Sequence, residues 1–341
     1  MFNSLNLSPI KIMVVVGLII FGLISTLVFT HSIQTAKILK NPSINSQFVI
    51  QELSQQIPTN NQWIINTTQA QKLVQEGATI LDARSCKIFK RKSLANASCV
   101  SWKEFSQAKL PFKGKLLIDD KILTEKLQTI GIYNDQPVIV FGNTINGWGE
   151  DGRIVWMLRT LGHQKAFLID GGFTALVKAG FPTVNLVNNT FSVRGDFVVN
   201  RSKNWQISQN ELKPNLENNN LIIIDTRELR EYAGKTPHGE ERGGHIPGAV
   251  HIYFKDWLDE NGMLLSRDKI LEMLAKKGIT KDKNVVTYCT GGVRSAWSSS
   301  VLADLGFQVK NYSGSMWEWS ASDADIYPLV KVRRKNSLMD N

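Results

Sequence analysis

One pattern of apolar runs and turns is written twice along this chain. ATILDARS at 78–85 is matched by LIIIDTRE at 221–228, and PVIVFGN at 137–143 by NVVTYCT at 284–290. WMLRTLGHQKAFLIDGGFTAL is then matched by SSVLADLGFQVKNYSGSMWEW. Each half reads as strand, loop, strand, tight loop, amphipathic helix closing on Leu-Gly, short strand, Gly turn and helix. Short apolar strands that alternate with helices predict parallel pairing and an α/β architecture, each sheet flanked by helices. A repeat of about 140 residues is a duplicated domain, because solenoid periods run to about 20–50 residues. Two domains, 59–185 and 195–331, also suit a chain of 341 residues. The Asn- and Pro-containing stretch KAGFPTVNLVNNTFSV is the expected link between them.

The beginning of the chain is a different material. From Ile12 to Thr30 it runs nineteen residues without a charge, with Lys11 before and Lys37 and Lys40 after. That length spans a hydrocarbon core of about 30 Å as a helix, and the segment is apolar all round, unlike an amphipathic core helix. The expectation is a single-pass membrane anchor at 1–31, inserted through residues 12–30, followed by a linker at 32–58. A signal peptide cleaved after Ala36 is the alternative. The flanking lysines nearly balance and leave orientation open, with the extracytoplasmic side favoured for the domains.

Forty basic residues stand against thirty acidic ones, a net charge of +10. The lysines are scattered instead of forming a block, so the charge suits anionic small molecules or lipid headgroups, and no nucleic-acid partner is expected. Three cysteines, Cys86, Cys99 and Cys289, cannot all pair and show no metal-ligand spacing. Neither a metal nor a cofactor is expected, and a disulfide framework is excluded as the source of the fold.

Cys289 has the most informative surroundings. VVTYCTGGVRS ends a buried strand on the thiol, adds two glycines and places Arg294 at the start of the next helix. Open parallel sheets bind ligands beyond the carboxyl ends of their strands. There the loop Thr290, Gly291, Gly292, Val293 and Arg294 can curl its N–H groups inward, while the helix start and Arg294 add positive field. A thiol in that field ionises more readily than a free cysteine, and the thiolate is the nucleophile.

With GGHIPGAV at 243–250, IIIDTRELREY and the closing YSGSMWEW, this segment resembles the rhodanese family of sulfurtransferases, over residues from about 60 to 331. The resemblance implies two tandem rhodanese-like domains. It implies that Cys289 takes a sulfane sulfur from a small anionic donor of the thiosulfate or 3-mercaptopyruvate type. The persulfide, cradled by the loop from Thr290 to Arg294, would pass its sulfur to a thiol, cyanide or protein thiol. Arg294 and Arg230 are candidates for binding the donor. Asp225 and Arg227 would fasten strand to loop, and His245 would fix the Pro-Gly turn after it as a hydrogen-bonding residue. The first half has Gly142-Asn143 where the second has Tyr288-Cys289, so Asn143 stands for the nucleophile and that domain is expected to be catalytically silent. Its insert, NTINGWGEDGR, either lines the cleft or makes a long turn. Cys86 and Cys99 are small core residues or a disulfide in an oxidising space. Glu231 stands where the two-domain enzymes commonly carry an arginine, and the neutral Thr290 and Gly291 do not choose a donor. Two other functions stay open. One is a persulfide-carrying or redox-sensing module with a protein partner. The other is a related phosphatase, whose loops have Cys-x5-Arg where this one has Cys-x4-Arg.

Overall fold

The computed structural model describes residues 61–185 and 193–332, so the expected anchor and the linker at 32–58 lie outside the described residues. Among the described residues no helix is long and apolar enough to cross a membrane.

The first half contains β1 (Ile64–Ile65), β2 (Thr79–Asp82), β3 (Lys92–Leu94), β4 (Ala97–Cys99), β5 (Val138–Phe141), β6 (Ala166–Ile169) and β7 (Thr183–Asn185). Its helices are α1 (Thr67–Gln75), α2 (Cys86–Arg91), α3 (Asp120–Thr129), α4 (Glu150–Thr160) and α5 (Gly172–Lys178). The second half supplies β8 (Leu221–Asp225), β9 (Val250–His251), β10 (Asn284–Tyr288) and β11 (Gln308–Asn311). Its helices are α6 (Gln209–Leu212), α7 (Leu229–Tyr232), α8 (Arg267–Ala275), α9 (Arg294–Asp304) and α10 (Ser315–Ala321).

The strands order as β1-β6-β5-β2-β4 in one sheet and β11-β10-β8-β9 in the other, with every pairing parallel. Laid on each other, β6-β5-β2-β4 and β11-β10-β8-β9 are the same sheet, so the repeat in sequence is a repeat in topology. Continuous apolar strands such as Val138–Phe141, buried at all four positions, are what a parallel sheet covered on both faces requires. Helix starts are set locally. Asn66 caps α1 and Ser208 caps α6, each closing a reciprocal box with the side chain three residues on.

The register corrects one expectation. Asp82 pairs with Phe141 and Asp225 with Tyr288, so the residue after β5, Gly142, is the counterpart of Cys289. Asn143 instead matches Thr290. The loop before α4 is three residues longer than the one before α9, but the extra residues follow this point, and the strand match PVIVFGN with NVVTYCT already sets Gly142 on Cys289.

The halves meet along α4 and α9. Gly152 lies directly on Trp297, where a β-carbon would fall 2.6 Å from the Trp297 Cα, and Gly149 packs on the same side chain. Removing side chains from α4 at these two points lets the helices approach closely. Ile154, Val155 and Leu158 of α4 then share one apolar core with Ala296, Val301 and Leu302 of α9. Cys86 and Cys99 form a disulfide that ties α2 to β4, which leaves Cys289 as the free thiol of the chain.

Candidate active site

β10 delivers Cys289 to the carboxyl end of the second sheet, with 1% of its surface exposed. The loop after it curls as the glycines allow. Gly292 adopts a left-handed φ of 77°, and its N–H points at Cys289 Sγ across 3.1 Å. Gly291 has no room for a side chain because the Trp317 ring fills that space. Ser295 Oγ approaches the sulfur at 3.5 Å. The start of α10 grips the same loop: Cys289 N donates to Ser315 Oγ at 3.1 Å, while Met316 N and Trp317 N donate to the carbonyls of Cys289 and Thr290. Burial pushes the thiol pKa up. Against it work the Arg294 charge, the Ser295 hydroxyl and the Ser295 and Gly291 N–H groups, which together hold the thiol below its ordinary value. The sulfur thus sits in a donor-lined, water-poor nest suited to an anion.

Arg294 is 3% exposed, and both of its terminal nitrogens are engaged. Nη1 and Nη2 form a two-pronged bridge to Glu231 at 2.7 and 2.8 Å, and Nη2 also donates to Thr290 Oγ1 at 2.7 Å. Burial disfavours the ionised Glu231 carboxyl, but the Arg294 fork and the Thr290 hydroxyl hold it down at about 2. Arg294 therefore acts on the thiol through its field, and its fork is occupied by Glu231. Arg230 is not brought to this site: its exposed guanidinium bonds Glu228 at 2.6 Å. Both arginines expected to bind the donor are thus paired with carboxylates in this structure, Arg294 with Glu231 and Arg230 with Glu228.

The supporting residues lie behind the loop. Asp225 takes Arg227 Nε and Nη2 together with the Tyr288 hydroxyl, and Arg227 Nη2 reaches on to Gly244 O at 2.7 Å. This joins β8, β10 and the segment 243–250. His245 Nδ1 lies 2.9 Å from Tyr232 O with its ring stacked on Tyr232 at 3.7 Å. Asp82 and Arg84 repeat the Asp-x-Arg clasp in the first half.

The first half completes the site. Arg153 of α4, with no exposed surface, donates to Gly292 O at 3.1 Å, to Gly114 O at 2.5 Å and to Ser106 Oγ at 3.1 Å. Gly114 packs against Gly291, and Lys115 bonds Glu318 of α10 at 2.5 Å. In front of Cys289 a cavity of ≈ 340 Å³ is walled from the first half by Trp102, Lys103, Lys113, Trp148 and Glu150, and from the second by His238 and Trp317 beside the loop. The insert thus lines the cleft through Trp148 and Glu150. The remaining wall residues carried no signal in the sequence except their aromatic or basic character. A larger hollow of ≈ 470 Å³ lies at the opposite, amino ends of β8, β10 and β11 and holds no nucleophile.

The counterpart in the first half is closed. A β-carbon on Gly142 would fall 2.5 Å from Asp151 Oδ2, so a carboxyl occupies the place of the cysteine side chain. Burial pushes that carboxyl up to about 7 despite the Gly152 N–H it accepts.

A family model described as "Rhodanese-like domain" matches residues 66–179 and again 208–322. The chain belongs to the rhodanese-like family. The sulfur carrier protein TtuD of Thermus thermophilus is 29% identical over 214 residues, 59% of this chain and 74% of that protein. Thiosulfate sulfurtransferase of Bos taurus is 25% identical over 274 residues, 76% of this chain and 90% of the relative. The solved 3-mercaptopyruvate sulfurtransferase from Leishmania major shares the fold, with a TM-score of 0.65 at 19% identity over 76% of this chain and 74% of that one.

The geometry of this rhodanese-like site sets the pH dependence of its thiol. Iodoacetamide modification of Cys289 should have its midpoint below that of a free cysteine, about 8.5. In Arg294→Gln the midpoint should move upward, because the cation that favours the thiolate is gone while Glu231 remains. An unchanged midpoint would remove the electrostatic role given to Arg294.

Proposed function

We propose that Cys289 carries a sulfane sulfur between an anionic donor and a thiophilic acceptor, and that it is the transferring residue of the chain. The protein is a sulfurtransferase of the rhodanese type. The observation that carries the assignment is the thiol at the end of β10, held by the Gly292 N–H and the Ser295 hydroxyl in the loop that α10 fixes. With thiosulfate, the Cys289 thiolate attacks the outer sulfur. A new S–S bond forms, the donor S–S bond breaks, and sulfite leaves with the electron pair. An acceptor thiolate or cyanide then attacks the terminal sulfur and Cys289 leaves as thiolate. Each leaving group departs as a stable anion, so no general base is needed at the sulfur. Arg294, Ser295 and the loop amides hold the charge in both states.

The first rhodanese-like domain is catalytically silent in this reading, supported by Gly142 in place of the cysteine and by Asp151 in the space a side chain there would need. After incubation with thiosulfate or 3-mercaptopyruvate, intact mass should rise by one sulfur, located on the Cys289 peptide and absent in Cys289→Ser. Gly142→Cys should add no second sulfur, because Asp151 bars the nest. Sulfur retained by Cys289→Ser would end the assignment.

The protein is held at a membrane by residues 12–30, with its domains on the extracytoplasmic side. Support comes from the uncharged run of nineteen residues and from the Cys86–Cys99 disulfide, a bond that persists in oxidising compartments. On fractionation the full chain should stay in the pellet through high salt and alkaline carbonate. A soluble mature chain beginning just after Ala36 would show a removed signal peptide instead.

A further inference from the structure

The wall of the cavity poses a question of recognition. A sulfur donor for this site is an anion, yet the loop arginine is already matched by Glu231 and Arg230 lies elsewhere. The cations left facing the cavity are Lys103 and Lys113, and neither enters an ion pair among the described residues. Lys113 Nζ lies 4.7 Å from the centre of the Trp317 ring, which sits on the active loop. The cavity also holds the Glu150 carboxylate, whose Oε2 accepts the Trp148 N–H at 2.7 Å, and the imidazole of His238, with Nε2 3.8 Å from Glu231 Oε1. Two unmatched ammonium groups against one carboxylate leave the wall attractive to an acid group.

The rest of the wall is aromatic. Trp148 offers one face to the Arg294 guanidinium at 5.1 Å, meets the His238 ring edge-on at 5.7 Å, and keeps 40% of its surface exposed. Trp102 and Trp317 complete it. A volume of ≈ 340 Å³ is of the size that holds organic ligands, about 300–1,000 Å³. A small inorganic dianion such as thiosulfate would leave most of it empty and would gain nothing from indole faces.

We propose that the domain without a nucleophile supplies most of the donor recognition: its Lys103 and Lys113 bind the carboxylates of an organic hydropersulfide, and its Trp102 and Trp148, with Trp317 of the second half, cover the carbon body. This deepens the reading of Cys289 as the sulfur carrier and rests on it. In the transfer the Cys289 thiolate attacks the terminal sulfur of R–S–SH. The new S–S bond to Cys289 forms as the R–S–S bond breaks, the proton stays on the transferred sulfur, and R–S⁻ leaves with the electron pair. No oxidant or reductant is consumed.

Steady-state transfer to cyanide by the full chain tests this with three donors: glutathione persulfide, uncharged benzyl hydropersulfide and thiosulfate. The wild type should use glutathione persulfide with a kcat/KM about tenfold or more above that for thiosulfate. The double variant Lys103→Gln, Lys113→Gln should raise the KM for glutathione persulfide about tenfold, the scale of one charge-assisted contact, with kcat little changed. It should leave the KM for benzyl hydropersulfide where it was, and Lys→Arg at both positions should restore the first donor. An unchanged KM for glutathione persulfide in the double variant, or an equal rise for the uncharged donor, would overturn the proposal, as would a wild-type preference for thiosulfate. In those cases Cys289 would still acquire sulfur. A wild type that takes sulfur from none of the three donors would instead defeat the functional reading, and this inference with it.

Discussion

A guanidinium with no exposed surface ties the two halves together at the reacting centre. Arg153 belongs to the first domain, yet its Nη1 bonds the carbonyl of Gly292, whose N–H in turn faces the sulfur. Burying a charge is costly unless it is paired and hydrogen-bonded. Three oxygens meet the terminal nitrogens, and the Cys289 thiolate favours the charged form from beyond them. Burial nonetheless pulls the Arg153 pKa down to about 9, which keeps it protonated at neutral pH. Because a Coulombic interaction is mutual, whatever the thiolate gives this cation the cation gives back, alongside the larger effects of Arg294 and Ser295. The sulfur loop of one domain is thus shaped partly by the other.

That dependence gives the duplicated fold its division of labour. Both halves keep the same sheet order and the same Asp-x-Arg clasp, which hold strand to loop and have no part in sulfur chemistry. They differ where the chemistry would be. The first half has Gly142 and a buried Asp151, and its longer loop sends Trp148 and Glu150 into the cavity before Cys289. Gly149 and Gly152 remove the side chains that would keep α4 away from Trp297. The glycine in the cysteine's place and the residues that wall the cavity come from one short stretch.

Much of this was legible in the chain itself. The repeat implied two equivalent parallel sheets, and the strand-Cys-Gly-Gly-helix order placed Cys289 at the carboxyl end of one of them. What escaped depends on contacts between distant residues. Spacing shows that Arg294 carries a charge near the sulfur, but not that Glu231 has taken both of its terminal nitrogens. The oddity of an acid at position 231 was visible, and only the fold explains it as the partner of the loop arginine. Reading Asn143 in the place of the nucleophile was one residue out of step with the ungapped strand match, and strand register restores Gly142 to that place. Arg153 and Gly292 stand 139 residues apart, a pairing that no local pattern announces.

The most direct test of this coupling between domains is the rate at which Cys289 gains sulfur in the full-length Arg153→Met chain, followed by intact mass with folding checked by circular dichroism. Loading should be about tenfold slower or more in a chain that keeps its native cooperative transition, since one buried donor that fixes the anion nest is lost. Loading at the wild-type rate in such a folded chain would contradict the coupling.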